Sequence, residues 1–202
     1  MSVQDRRARE KKGVREEILE AARTLFVKEG YENTSIRKIA EKIEYAPGTI
    51  YLYFRDKSEI LERICEETFS RLAKKLEAIN QDPSPSLDRL RRGLRVYVQF
   101  ALENPNHYLL TFIQSPKDIA GGNSIYCTSG QHCFNSLREG VAGCIQAGLL
   151  RSEDVDETAQ ALWAGIHGIS SLLITHPGFP FIEHNRLIDR LIDILVEGIR
   201  KK

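Results

Sequence analysis

An all-helical fold is what this chain predicts, on three observations. Apolar residues recur with a period near 3.6, strand-like alternation is nearly absent, and residues that start and stop helices punctuate the runs. With no internal repeat or low-complexity tract, the pattern reads as about nine helices, three of them in an N-terminal head and the rest in a C-terminal body.

In the first helix Ile18, Ala21, Ala22, Leu25 and Phe26 form one stripe, and Gly30 ends it as a C-terminal cap. A second helix opens at Thr34 or Ser35, either of which can accept free first-turn amides, and buries Ile36, Ile39, Ala40 and Ile43. After a turn, Pro47 suits the start of a third helix, where its fixed φ helps and its missing N–H is no loss. Ile50 and Phe54 point that helix inward, and Tyr45, Ala46, Pro47, Gly48, Thr49, Tyr51 and Tyr53 are expected along it. Asp56-x-x-Glu59 reads as a capping box for a fourth helix, continuing through Leu61, Ile64, Leu72, Leu76 and Ile79 until the QDPSPS stretch. This divides the chain into a helix-turn-helix head with a basic arm, residues 1–57, and a helical body, residues 58–202.

The body opens near Ser86 with Leu87, Leu90, Leu94, Val98 and Ala101 in line, and Val96 with Phe100 beside them. Pro105 restarts the chain as a short helix holding His107, Tyr108, Leu109 and Phe112, and Ser115-Pro116 ends it. Gly121-Gly122 marks a connection before a helix from about Ser124 to Gly148. Asp154-x-x-Glu157 caps the next helix, which bears Leu162, Trp163, Ile166, Ile169 and Leu173. Pro177 and Pro180 separate it from the last, with Leu187, Ile188, Leu191, Ile192, Leu195 and Ile199.

At 42% hydrophobic and 28% charged residues, the 202-residue chain is not a wholly disordered one. Its net charge of +1 excludes a histone-like polycation but not a local basic face. Arg6, Arg7, Arg9, Lys11, Lys12 and Arg15 form such a face, opposed by Asp5 and Glu10 alone; a solvated tail and a phosphate-contacting arm are both consistent with it. No window approaches the ~20 apolar residues of a membrane span, and the N-terminus is too charged for a secretory signal, so a soluble cytoplasmic protein without a membrane partner is expected.

The head's chemistry fits double-stranded DNA. Thr34, Ser35, Tyr51 and Tyr53 offer hydroxyls for phosphates, and Lys57 an ammonium beside the amides of the fourth helix's first turn. For the two tyrosines, packing with the hydroxyl at the edge is the alternative. Base reading falls to Arg37 and to Tyr45, Ala46, Pro47, Gly48 and Thr49. Arg37 equally suits a solvated pair with Glu41, four residues on.

These residues carry a resemblance. Ile18-Leu19, Ala21-Ala22, Leu25-Phe26, Gly30, Thr34-Ser35-Ile36, Ile39-Ala40, Pro47-Gly48-Thr49-Ile50-Tyr51, Tyr53-Phe54 and Lys57 together resemble the head of the tetracycline-repressor (TetR) family of bacterial regulators. The stretch ALWAGIHGISSLL, around Trp163, His167 and Gly168, is similar to a Trp-His-Gly type of body found in some members, as is Pro105 through Phe112. The resemblance implies a helical homodimer whose heads bind successive major grooves of a palindromic operator, acting as a repressor that a small, largely apolar effector releases. Glu44 stands where the family usually has glycine, which implies a non-glycine residue in a left-handed turn at a cost on the order of 1 kcal/mol.

In the body, Tyr97, Phe100, His107, Tyr108, Phe112, Trp163 and His167 are candidate effector-lining residues, with ordinary core packing as the alternative for each. The last two helices carry wide apolar stripes suited to a four-helix interface with a second copy, or to burial within one subunit. His132, Cys127, Cys133 and Cys144 admit a thiol- or metal-sensing regulator as the alternative function. No catalytic or phosphate-binding motif accompanies them, so neither an enzyme, a cofactor nor a structural metal is expected.

Overall fold

The computed structural model describes residues 3–113 and 128–201. Among the described residues it forms α1 (Val3–Glu29), α2 (Ile36–Lys42), α3 (Pro47–Ile50), α4 (Lys57–Asn80), α5 (Ser86–Glu103), α6 (Pro105–Tyr108), α7 (Thr128–Gln146), α8 (Val155–Thr175) and α9 (His184–Ile199), with a π-helical turn at Leu109–Ile113. The fold is all-α; its one β feature among these residues is an isolated antiparallel bridge from Leu150 to Arg200. Ser115, Pro116, Gly121, Gly122 and Ser124, used above to punctuate the body, lie outside the described residues.

Contacts cluster into two units, one within Met1–Thr68 and Asn106–Cys127, the other within Phe69–Pro105 and Thr128–Lys202. The sequence places the boundary after residue 57; the packing places it inside α4. The reason is apolar: Ile60, Leu61 and Ile64 of α4 and Leu110 of the π turn join Ile18, Ala22 and Phe26 of α1, Ile39 and Ala40 of α2, and Ile50 and Phe54 in one buried core.

The head's connections close on their own backbone. Gly30 takes φ 84°, and its N–H donates to the Phe26 carbonyl at 3.0 Å. Ser35, with extended backbone, is the N-cap of α2 and accepts the Lys38 amide. Glu44 takes φ 60°, the left-handed geometry expected of this turn, and Tyr45 N–H closes it on the Ala40 carbonyl at 2.9 Å.

The third helix is shorter than the expected run from Tyr45 to Tyr53. Ala46 is held extended at ψ 143° because the ring of a following proline excludes helical backbone from the residue before it. Past Ile50 the bonding tightens to three-residue steps, Leu52 N–H to Thr49 O and Tyr53 N–H to Ile50 O, so Tyr51, Leu52 and Tyr53 form a turn. The box at α4 is present with one shift: Asp56 Oδ1 accepts the Glu59 amide at 2.8 Å, while Glu59 Oε2 accepts the amide of Arg55 at 2.7 Å.

The second unit packs α5, α7, α8 and α9 together, burying Leu90, Leu94 and Val98 with Val141, Leu162, Ile166, Ile188, Ile192 and Val196. Gly148, at φ 69°, ends α7 in a Schellman motif, with Leu149 N–H on Cys144 O and Gly148 N–H on Ile145 O. Asp154 caps α8 through the amides of Asp156 and Glu157. Arg91 pairs with Asp193 and Glu197, and Arg95 with Asp189, keying α5 to α9. Where α8 meets α9, a Cβ on Gly165 would lie 2.8 Å from Leu195 Cδ1.

Glu44→Gly should raise stability by about 0.5–1 kcal/mol, the relief of left-handed strain less the entropy glycine loses on folding. Urea melts would show it as a higher midpoint at constant slope; a lower midpoint would mean the Glu44 side chain contributes more than its backbone costs.

Candidate nucleic-acid interface

Ser35, Arg37, Tyr45, Ala46, Pro47, Gly48 and Tyr51 are exposed, and Thr49 and Tyr53 are half-buried. These residues surround α3, whose inner side is anchored by Ile50 and Phe54. Ser35 Oγ accepts the Lys38 amide, which leaves the hydroxyl hydrogen available to donate. Arg37 forms no ion pair with Glu41 or with any other described carboxylate, so its guanidinium stands ready for an external acceptor. Neighbouring Lys38 is occupied instead, at 2.6 Å from Glu29 and 2.9 Å from the Asn33 carbonyl. Its hydrogen bond holds the Glu29 carboxyl below the ordinary range.

Sequence reasoning missed Leu52. It is 75% exposed, the most exposed large apolar side chain described, and sits between two tyrosines of the face. Helical spacing gave no reason to single it out, because the tightening after Ile50 is what turns it outward.

Two expected phosphate contacts receive other work. Thr34 is 2% exposed and its hydroxyl donates to the Gly30 carbonyl at 2.9 Å, so it braces the α1–α2 connection and has no surface for DNA. Lys57 Nζ donates to the carbonyls of Tyr31 at 2.7 Å and Thr34 at 2.9 Å and lies 4.0 Å from the centre of the Tyr31 ring. An ammonium has three N–H groups; two carbonyls and a π face account for them. The first turn of α4 is likewise unfavourable to an anion, because Asp56 accepts its Glu59 amide and brings a carboxylate of its own. The Arg55 guanidinium, then the Glu59 amide and Ser58 hydroxyl, hold the Asp56 carboxyl far below the ordinary range, so a negative charge already sits there.

The candidate effector residues divide between the units and are described within each. In the first, Thr68 Oγ1 donates its one hydrogen to Ile64 O at 2.8 Å, so His107 Nδ1, 2.7 Å away, must donate to it. Tyr108 is buried and its ring lies 5.0 Å from that of Phe112; burial raises its phenol well above the ordinary range. In the second, Trp163 Nε1–H donates to Tyr97 Oη at 3.3 Å, and Tyr97 Oη and His167 Nδ1 share a hydrogen bond at 3.0 Å. An indole can only donate, so Trp163 is the donor to Tyr97, and the phenol oxygen joins the Trp163 and His167 rings in one hydrogen-bonded group. Phe134, not anticipated, meets Trp163 edge-on at 5.9 Å, and Phe100 is buried beside Lys75.

The described thiols give no support to a sensing role. Cys65, Cys133 and Cys144 are buried, and the Cys133 thiol donates to the Phe69 carbonyl at 3.3 Å. Burial pushes Cys65 and Cys144 up to about 11, leaving almost no thiolate near neutrality. Cys127 lies outside the described residues, and no cluster of metal-ligating side chains is present among the described ones. Nor is any described helix long and apolar enough to cross a membrane.

Residues 18–64 match the model of bacterial regulatory proteins of the tetR family, and residues 90–196 match that of the tetracyclin repressor-like C-terminal domain. An HTH-type transcriptional regulator of Haemophilus influenzae is 34% identical over 90 residues, covering 45% of this chain and 48% of that protein. The HTH-type regulator YfiR of Bacillus subtilis is 33% identical over 101 residues, covering 47% and 49%. The chain thus matches about half the length of these curated relatives. Among solved structures, PfmR of Thermus thermophilus aligns with TM-score 0.75 at 22% identity, over 91% of this chain and 99% of that one. FadR of Bacillus subtilis, solved in complex with stearoyl-CoA, aligns with TM-score 0.78 at 21% identity, over 91% and 98%. These likenesses are of fold.

Lys57→Met should cost about 1–3 kcal/mol of stability by leaving two carbonyls without their charged donor. It should also leave the salt dependence of DNA binding unaltered, whereas a flattened dependence would restore Lys57 as a phosphate contact. His167 has its pKa lowered by burial, so the stability it confers is present above the unfolded value of 6.5 and lost as pH falls through the folded one. Between about pH 7.5 and 5.5, a window that brackets the ordinary histidine value, the melting temperature of the native chain should drop more than that of His167→Gln. Parallel curves would show that His167 does not take part in acid destabilisation.

Proposed function

The chain belongs to the TetR family of bacterial transcriptional regulators, and on that premise we propose that it is a ligand-responsive repressor that binds a palindromic operator as a homodimer. Its helix-turn-helix head is the DNA-binding part. The observation that carries the reading is the exposure of Ser35 and Arg37 at the start of α2 together with Tyr45 to Gly48 and Tyr51 in and around α3, while Ile50 and Phe54 are buried behind them. Ser35, Tyr51 and Tyr53 serve the phosphates. Arg37 reads a guanine edge, and Ala46, Thr49 and Leu52 offer methyl groups to thymine while Pro47 and Gly48 let the backbone approach.

A homodimer is supported by Leu172 of α8 and Ile194 of α9, which are 49% and 55% exposed and give those helices an unpartnered apolar side. The effector is a small, largely apolar molecule held by aromatic side chains of the body. Stearoyl-CoA in FadR makes long acyl groups the first class to test. The effector must favour the arrangement that does not bind DNA, and its differential affinity sets the limit of release; α4, which holds residues of both units, is the link.

Selection of random duplexes with the purified protein should return an inverted repeat with half-site centres about 34–36 Å apart or somewhat more. Light scattering should give a dimer mass, Arg37→Ala should relax one base pair per half-site, and acyl-CoA should lower operator affinity. Recovery of no sequence would overturn the reading. A bound acyl chain without effect on affinity would remove the effector while leaving DNA binding in place.

A further inference from the structure

The basic stretch at the front of the chain is neither a tail nor part of the helix-turn-helix. It is helical from Val3, and α1 therefore overshoots the head's core by more than two turns. One side of α1 can be followed outward at i, i+3 and i+4 spacing. Ala22 and Ile18 are buried, Val14 packs on the core's edge, and the Arg15 guanidinium lies 4.5 Å over the ring of Phe54. The next turn on that side presents Lys11 and Lys12, both exposed.

Their charges are not used within the chain. Arg6 pairs with Glu10 at 3.4 Å and Arg9 reaches the Asp5 carbonyl, but Lys11 and Lys12 meet no carboxylate among the described residues. A partner carrying closely spaced negative charge would neutralise both. The position selects which partner: Arg15 joins the overhang to Phe54, whose preceding residues Tyr51 and Leu52 are the most exposed part of the DNA-facing turn.

We infer that the first turns of α1 are a second DNA-binding element, in which Lys11 and Lys12 meet backbone phosphates flanking each operator half-site without reading sequence. The inference rests on the DNA-binding reading above and extends the footprint beyond the base-reading face. It assigns the sequence-independent part of the affinity chiefly to α1, since Lys57 is occupied internally and the α4 N-terminus already carries the Asp56 carboxylate.

The test compares the full-length native chain with K11Q/K12Q and K11R/K12R on the selected operator, with and without added flanking base pairs, by fluorescence anisotropy across a salt series. For K11Q/K12Q on the extended duplex, where the dimer loses two contacts at each half-site, the slope of log affinity against log salt should shrink by about 3.6, so that the loss between about 50 and 200 mM salt becomes roughly 150-fold smaller. K11R/K12R should keep the native slope. Removing the flanks should weaken the native chain and leave K11Q/K12Q unchanged, and the preferred sequence should be the same for all three. Native and K11Q/K12Q slopes that coincide on the extended duplex overturn the inference while DNA binding stands. A native chain that binds no duplex overturns both.

Discussion

A helix of four residues cannot hold itself together in water, because nucleation fixes several residues for a single hydrogen bond. α3 exists only through what it buries. Ile50 and Phe54, at 0% and 1% exposure, each contribute about 1.5–3 kcal/mol of transfer free energy against the floor laid by Ile18, Ala22 and Phe26. Ala46 offers no side-chain cap. The outward placement of Tyr45 and Tyr51, on either side of α3, is therefore set by the apolar core behind them. A cavity under Ile50 would disturb this face although Ile50 takes no part in its surface.

The cations of the head divide by what they face. Arg15 lies on an aromatic ring, Lys57 is tied to the carbonyls of the α1–α2 connection, and Lys38 is tied to Glu29. These hold the scaffold. Arg37, Lys11 and Lys12 have no carboxylate of their own among the described residues and are the ones left for polyanion. Counting positive residues, or noting that the net charge is +1, cannot make this division; only the position of internal acceptors does.

The helices were legible in the sequence because their causes are local. The left-handed Gly30 and the caps Ser35, Asp56 and Asp154 each act within a few residues. Glu44 is left-handed as the resemblance to a family with glycine at that position implies, not because any local signal in this chain marks it. What the sequence could not supply were partners far along the chain. Lys57 finds carbonyls 26 and 23 residues away, and Tyr97 finds His167 at a separation of 70. Periodicity reports which side of a helix is inward but not which neighbour waits there. Hence Lys57 and Thr34 read as contacts for DNA when the fold uses them as braces. The end of α3 was misjudged because a proline start and an apolar period say nothing about where four-residue bonding gives way to three. The first turns of α4 were assigned to the body because a capping box marks where a helix starts and not which core it serves.

The close approach at Gly165 carries a consequence for divergence. Leu195 fills the space that a β-carbon at position 165 would claim, its branch atoms at 2.8 and 3.0 Å from that point and its Cγ at 3.4 Å. Neither position drifts freely: a larger residue at the first demands a smaller or re-oriented one at the second, and a trimmed leucine opens a void that only a gain opposite can refill. A descendant that enlarges position 165 is therefore expected to compensate at 195, the two forming one unit at the seam between the last two helices.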